Sequence, residues 1–215
     1  MFNKKQTGLT LIEMMIALVL GLFVTAIIIT VFSTNVRSST ESVKMIRLNQ
    51  ELRGVMTMMT DELKRAGYSA DPTNADFMQD FSLSSGCIRY SYDEDASETQ
   101  EADEKFGFKL ESNTIKWAKD YTSTDCSVSS TTPVDLTDTN LAFITTLNFD
   151  ITGSVNKNGL SLSSGPAALT ATAGVSVYDV TITLTGTTDL PHSSDTNDPR
   201  RTITETVRIR NEDPK

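Results

Sequence analysis

From Met14 to Phe32 the chain carries 19 consecutive uncharged residues, and no other feature of its 215 restricts the fold as much. A helix over that run, at about 1.5 Å per residue, covers a hydrocarbon core of roughly 30 Å. A short leader, Met1 to Thr7 with Lys4 and Lys5, precedes Gly8. One carboxylate, Glu13, stands five residues past that glycine. Acids in membrane segments are costly and rare, so Glu13 is a functional candidate by default.

An ordinary secretory signal has an apolar stretch of about 7–15 residues and then a small-residue cleavage site. Here the run is longer, and no A-x-A site follows it before Arg37. A cut at Gly8 would leave the apolar helix on the mature chain. Lys4 and Lys5 place the N-terminus on the cytoplasmic side and residues past about 34 outside. The length suits one membrane helix plus one globular domain. The expected division is 1–8 as a leader peptide, 9–34 as a transmembrane helix, 35–67 as the amphipathic half of the same helix, and 68–215 as a β-rich domain.

Between Ser33 and Ala66 there is no proline and one glycine, Gly54. Met45, Leu48, Leu52, Val55, Met59 and Leu63 recur at three- and four-residue spacing, one apolar stripe on a helix. Arg47, Glu51, Arg53, Asp61 and Lys64 lie opposite. Lys64 and Arg65 suit a helix C-terminus and Gly67 the left-handed residue beyond it. The reading is one continuous helix from about Leu11 to Ala66, its outer half packed on the following domain. Strands are expected at Cys87–Tyr92, Phe106–Leu110, Thr114–Ala118, Leu141–Thr152, Val175–Thr185 and Thr202–Arg210. Leu141 to Ile151 is more continuously apolar, which suggests a central strand covered on both faces.

Two cysteines, Cys87 and Cys126, fall in the outward part, and an even count in an oxidising compartment favours a disulfide over two free buried thiols. Closing a loop of about 40 residues would stabilise the domain by roughly 4 kcal/mol in the chain-entropy treatment. No C-x-x-C spacing exists and His192 is the only histidine, so neither a metal site nor a cofactor is expected. Asp93 to Glu104 holds seven acids and no base. It lacks the glycine of a calcium loop and reads as a solvated loop. The net charge of −9 becomes −11 once a leader with two lysines is removed. No Lys/Arg cluster appears, which argues against nucleic-acid binding. His192 has no identifiable partner for a Ser/His/Asp triad, and the scattered glycines form no phosphate loop. The chain does not read as an enzyme.

The segment GLTLIEMMIALVLG closely resembles the class III leader and helix start of type IV pilins and type II secretion pseudopilins. Leader length, glycine, acid spacing and apolar helix all agree, over residues 1 to about 34. The resemblance implies an α+β fold of type IV pilin type, a long N-terminal helix packed on an antiparallel β-sheet domain. The helix ending ELKRAGY and the terminal strand TVRIRN are similar to PilW-type minor pilins, relatives of the J-type pseudopilins.

By that resemblance Gly8 precedes the bond cut by a prepilin peptidase, and Leu9 becomes an N-methylated N-terminus. Phenylalanine is the usual residue there, so leucine departs from the pattern while keeping an apolar side chain. Glu13 would meet the Leu9 amine of a neighbouring subunit. Many major pilins have a proline near Thr30, absent here, and the K-type tip pseudopilin lacks the acid present here as Glu13. Both points favour a minor subunit that is not at the very tip. The implied role is a minor pilin that helps prime, and then joins, a type IV pilus. Its partners would be other minor and major pilins, the inner-membrane assembly platform, and membrane lipid before assembly. Its location would be the inner membrane and then the pilus surface. The alternatives are a J-type pseudopilin of a type II secretion system and a single-pass anchored binding protein.

Overall fold

The structure is a computed structural model describing residues 8–71, 74, 76–79, 81–84, 86–121, 126, 132–151, 155–156, 176–188 and 199–209. Lys4, Lys5, His192, residues 189–198 and most of 122–132 lie outside the described residues. The chain forms two compact units, Met1–Lys44 and Met45–Lys215. Helix α1 (Leu11–Leu63, 53 residues) starts in the first and ends in the second.

Within the first unit every described residue is exposed. Its threonines bond locally: Thr25, Thr30 and Thr34 each donate to the carbonyl four residues back, at 2.7, 2.9 and 2.9 Å. That back-bonding lets threonine sit in an apolar run without an unsatisfied donor. By length and composition the helix can cross a membrane.

In the second unit α1 buries Leu48, Leu52, Val55, Met56, Met59, Thr60 and Leu63. The helix stops at Leu63, one turn short of Ala66. Asp61–Lys64 and Glu62–Arg65 ion pairs at 2.8 and 3.1 Å brace that end. Gly67 then takes φ +75°, where a side chain would be strained, and its N–H donates to the Ser91 carbonyl at 2.8 Å. A single turn, α2 (Asp76–Gln79), leads into the sheets.

Sheet one is an antiparallel meander of β1 (Ser82–Ser84), β2 (Cys87–Ser91), β3 (Lys105–Glu111), β4 (Thr114–Lys119) and β5 (Val134–Asp135). Its tight β3–β4 turn uses Ser112 and Asn113 at φ 51° and 62°, the positive values a two-residue hairpin needs. Sheet two is built on β8 (Ser176–Thr187), with β6 (Phe143–Asp150), β7 (Val155–Asn156) and β9 (Arg200–Ile209) all antiparallel to it. The sheets meet where the Ile144 N–H donates to the Asn113 carbonyl and Asn113 Nδ2 to the Ile144 carbonyl, both at 2.9 Å.

One core joins the helix stripe to Ile88, Tyr90, Phe106 and Phe108 of sheet one and Leu147, Val180, Ile182 and Leu184 of sheet two. Each large apolar side chain fully withdrawn from water contributes roughly 1.5–3 kcal/mol, so this stripe is the main attachment of the helix. A long N-terminal helix on antiparallel β-structure is therefore the fold.

The expected central strand is corrected. β8 occupies the centre of sheet two, and β6 exposes Thr145, Thr146 and Asn148 while burying Ile144, Leu147 and Phe149. A register irregularity between Ile144 and Thr146 shifts the inward phase by one residue. Apolar residues of both parities then face the same way, and the sequence imitates a strand buried on both sides.

Candidate functional site

Gly8 is exposed, and a Cβ built on it would meet nothing within 4 Å. The chain's own packing gives no reason for glycine there. Leu9 beside it is 75 % exposed. Glu13 accepts hydrogen bonds from the Thr10 backbone N–H at 3.0 Å and from Thr10 Oγ1 at 2.9 Å, while its own N–H donates to Thr10 Oγ1 at 3.4 Å. This is a capping box, with threonine closing the first helical turn and a glutamate three residues on reaching back. Among the described residues no cation meets Glu13. Sequence reasoning passed over Thr10, although the T-x-x-E spacing before an apolar run is a legible signal.

At the other end of α1, Glu62 Oε2 accepts the phenol hydroxyls of Tyr90 and Tyr92, each at 3.3 Å. Trp117 Nε1 donates to the Tyr90 oxygen at 3.1 Å, and the Arg65 guanidinium lies 4.0 Å above the Tyr92 ring. Burial, reinforced by the Glu62 charge, holds both phenols well above the usual tyrosine range. The group ties the helix end to the stacked rings Tyr90, Tyr92, Phe106 and Trp117.

Cys87 and Cys126 are bonded to each other, with Cα atoms 6.3 Å apart. Both are buried in a small second cluster with Ala118 and Tyr121. The Tyr121 ring covers Gly107, where a Cβ would approach it to 2.7 Å, so only glycine fits. Burial pushes the Tyr121 phenol up to about 12.

The acidic segment is solvated at Glu94, Asp95, Glu98, Glu101 and Asp103, as expected, but departs from that reading at its two ends. Asp93 and Glu104 are buried. Asp93 accepts from the backbone N–H groups of Ala70, Ser97 and Glu98 at 3.0–3.2 Å, and Glu104 from those of Glu94 and Glu101 at 2.7 and 3.1 Å. The ligand atoms of Asp93, Asp95 and Glu104 lie within 4.8 Å of one another. Both buried carboxylates spend their oxygens on loop amides, so the cluster organises the backbone. The structure brings Thr10 to Glu13 and Cys87 to Cys126.

A family profile described as prepilin peptidase-dependent protein B matches residues 41–209, and one for the prokaryotic N-terminal methylation motif matches residues 3–29. No curated protein matches the chain. Among solved structures, a type IV-like pilin from Thermus thermophilus is similar at TM-score 0.45 and 12 % identity, covering 78 % of this chain and 98 % of that one.

Proposed function

The chain belongs to the prepilin peptidase-dependent protein B family of type IV pilin-like proteins, and on that premise we propose that it is a minor pilin that helps prime, and then joins, a type IV pilus. The observation that carries the reading is the N-terminal arrangement. Helix α1 exposes every described side chain as far as Lys44, Glu13 and Thr10 close its first turn, and a glycine precedes it whose small size the fold does not use. Nothing in the fold calls for glycine at this position, which suits an external reader that favours a small residue, here a prepilin peptidase cutting between Gly8 and Leu9.

The freed Leu9 amine would be methylated and would meet the Glu13 carboxylate of an adjacent subunit. An ammonium and a carboxylate leaving water together offset part of each other's desolvation, while either alone is penalised. The exposed apolar helix would rest in inner-membrane lipid until the assembly platform passes it to other minor and major pilins, with the disulfide-tied domain on the outer side. Mass spectrometry of the mature protein is expected to begin at methylated Leu9, with residues 1–8 absent. An intact Met1 in assembled material overturns the reading. Replacing Gly8 with a bulkier residue is expected to leave the uncut precursor in the membrane.

A further inference from the structure

Among the described residues β9 pairs only with β8, over an unbroken register from Thr187↔Arg200 to Tyr178↔Ile209. Alternate residues of an antiparallel strand turn their N–H and C=O groups away from the partner. The far margin of this ten-residue strand is therefore a row of backbone donors and acceptors. Such margins are usually kept short, bulged or covered, because they recruit another strand.

The inward side chains of β9 are Arg201, Ile203, Glu205, Val207 and Ile209. Val207 and Ile209 are buried, Ile203 is half-buried and Glu205 is exposed. Beside them lies a cleft of about 420 Å³ lined by Arg53, Met56 and Thr57 of α1 and Ile203, Thr204 and Glu205 of β9. On the opposite face, the hydroxyls of Thr202, Thr204 and Thr206 pair with those of Thr185, Thr183 and Thr181 at 2.9–3.4 Å. A margin unpaired among the described residues, with a partly apolar trough beside it, is the arrangement that β-strand addition uses: backbone bonds hold the segment and the trough takes alternate side chains.

Charge selects the occupant. In a chain of net charge −9, the cleft side of this margin presents Arg53 and Arg201 beside one acid, Glu205, while Arg200 and Arg208 stand on the other face of β9. Arg208 is answered by Asp179 through two bonds of 2.8 Å, whereas Arg53 and Arg201 stand exposed. Pairing β9 centrally with its own copy keeps residues of one face opposite one another, so the two central registers would set Arg200 opposite Arg208 or Glu205 opposite its own copy, and like charges directly opposed are destabilising. We infer that β9 accepts, as an added strand, an extended acidic segment of a different subunit, with apolar side chains at alternate positions over Met56 and Ile203 and a carboxylate at Arg201. This rests on the reading of the chain as an assembly subunit.

The test places a photo-reactive benzoyl-phenylalanine at Glu205, or at Thr57 across the cleft, in the full-length protein within its own cells. Cross-linked peptides are then sequenced. Both positions are expected to capture one and the same segment of another pilin-like subunit, acidic and alternating in polarity. A probe at Asn148, exposed on β6, is expected to miss it. Arg201→Glu is expected to lower the yield several-fold, as reversal of a rim charge does. Capture of a second copy's β9, capture of lipid, or different segments at the two positions overturns the inference. Leader cleavage is read in the same cells. A processed chain with no capture overturns the strand contact alone, and an unprocessed chain with no capture overturns the subunit reading as well.

Discussion

Glu13 has two uses for one carboxylate, and they can be separated. In the chain by itself it completes the cap with Thr10; in an assembly it would answer a neighbour's amine. Glutamine serves as well as glutamate at that cap position but carries no charge. Glu13→Gln is therefore expected to keep leader cleavage and membrane retention while reducing surface pili in a complemented deletion strain. Wild-type piliation by the glutamine variant would assign the residue to capping alone. The phenols around Glu62 give a second test at this scale. Tyr90, Tyr92 and Tyr121 are all raised, so the folded state favours the neutral form. Their contribution is complete below about pH 10, where unfolded tyrosine ionises, and is lost as pH rises towards about 12 and beyond. A tyrosinate absorbance titration is expected to place Tyr90, Tyr92 and Tyr121 among the late phenols. Glu62→Gln is expected to bring Tyr90 and Tyr92 down together and to leave Tyr121 in place, because the Glu62 charge acts on the first two only.

Among the elements, α1 was the most legible because its burial follows a single period. Leu48, Leu52, Val55, Met59 and Leu63 sit at helical spacing in the sequence and line the core in the structure. Leu52→Ala is expected to lower stability by about 2–5 kcal/mol, the range for emptying a packed site. Arg53→Ala, on the exposed flank, is expected to stay within about 0.5 kcal/mol in the same denaturant experiment. Strands β8 and β9 were legible by a period of two, whereas β2, β3 and β4, which do not alternate in burial, were legible as short apolar runs between turns. What resisted reading has physical causes. β1, β5 and β7 are two or three residues long and carry no period to detect. The slip at Ile144 in β6 breaks the alternation on which strand reading depends. The burial of Asp93 and Glu104 was hidden because their partners are backbone amides, which composition does not reveal. At the N-terminus the glycine and acid were visible as residues, whereas the cap between Thr10 and Glu13 required a spacing to be read as a bond.

For the whole molecule, division into two units makes one outcome specific. Every described residue up to Lys44 is exposed, so none of them supplies the buried core, which starts at Leu48. The bond between Cys87 and Cys126 spans 39 residues of the second unit and ties the start of β2 to a segment beyond β4. Cutting it is expected to cost that unit roughly 2–5 kcal/mol, the range seen when a native disulfide is lost from a small secreted domain. On the proposed reading, membrane retention would draw instead on the apolar run of α1, which contains no cysteine. Cys87→Ser is therefore expected to lower the denaturation midpoint of the domain and raise its protease sensitivity, while the chain still resists alkaline carbonate extraction and is still cut at Gly8. Thiol alkylation checks the premise: neither cysteine is expected to react before reductant is added, and both after. Release of the serine variant from the membrane would show that the domain contributes to anchoring. Unchanged stability would show that the core of α1 and the two sheets holds the domain without the bond.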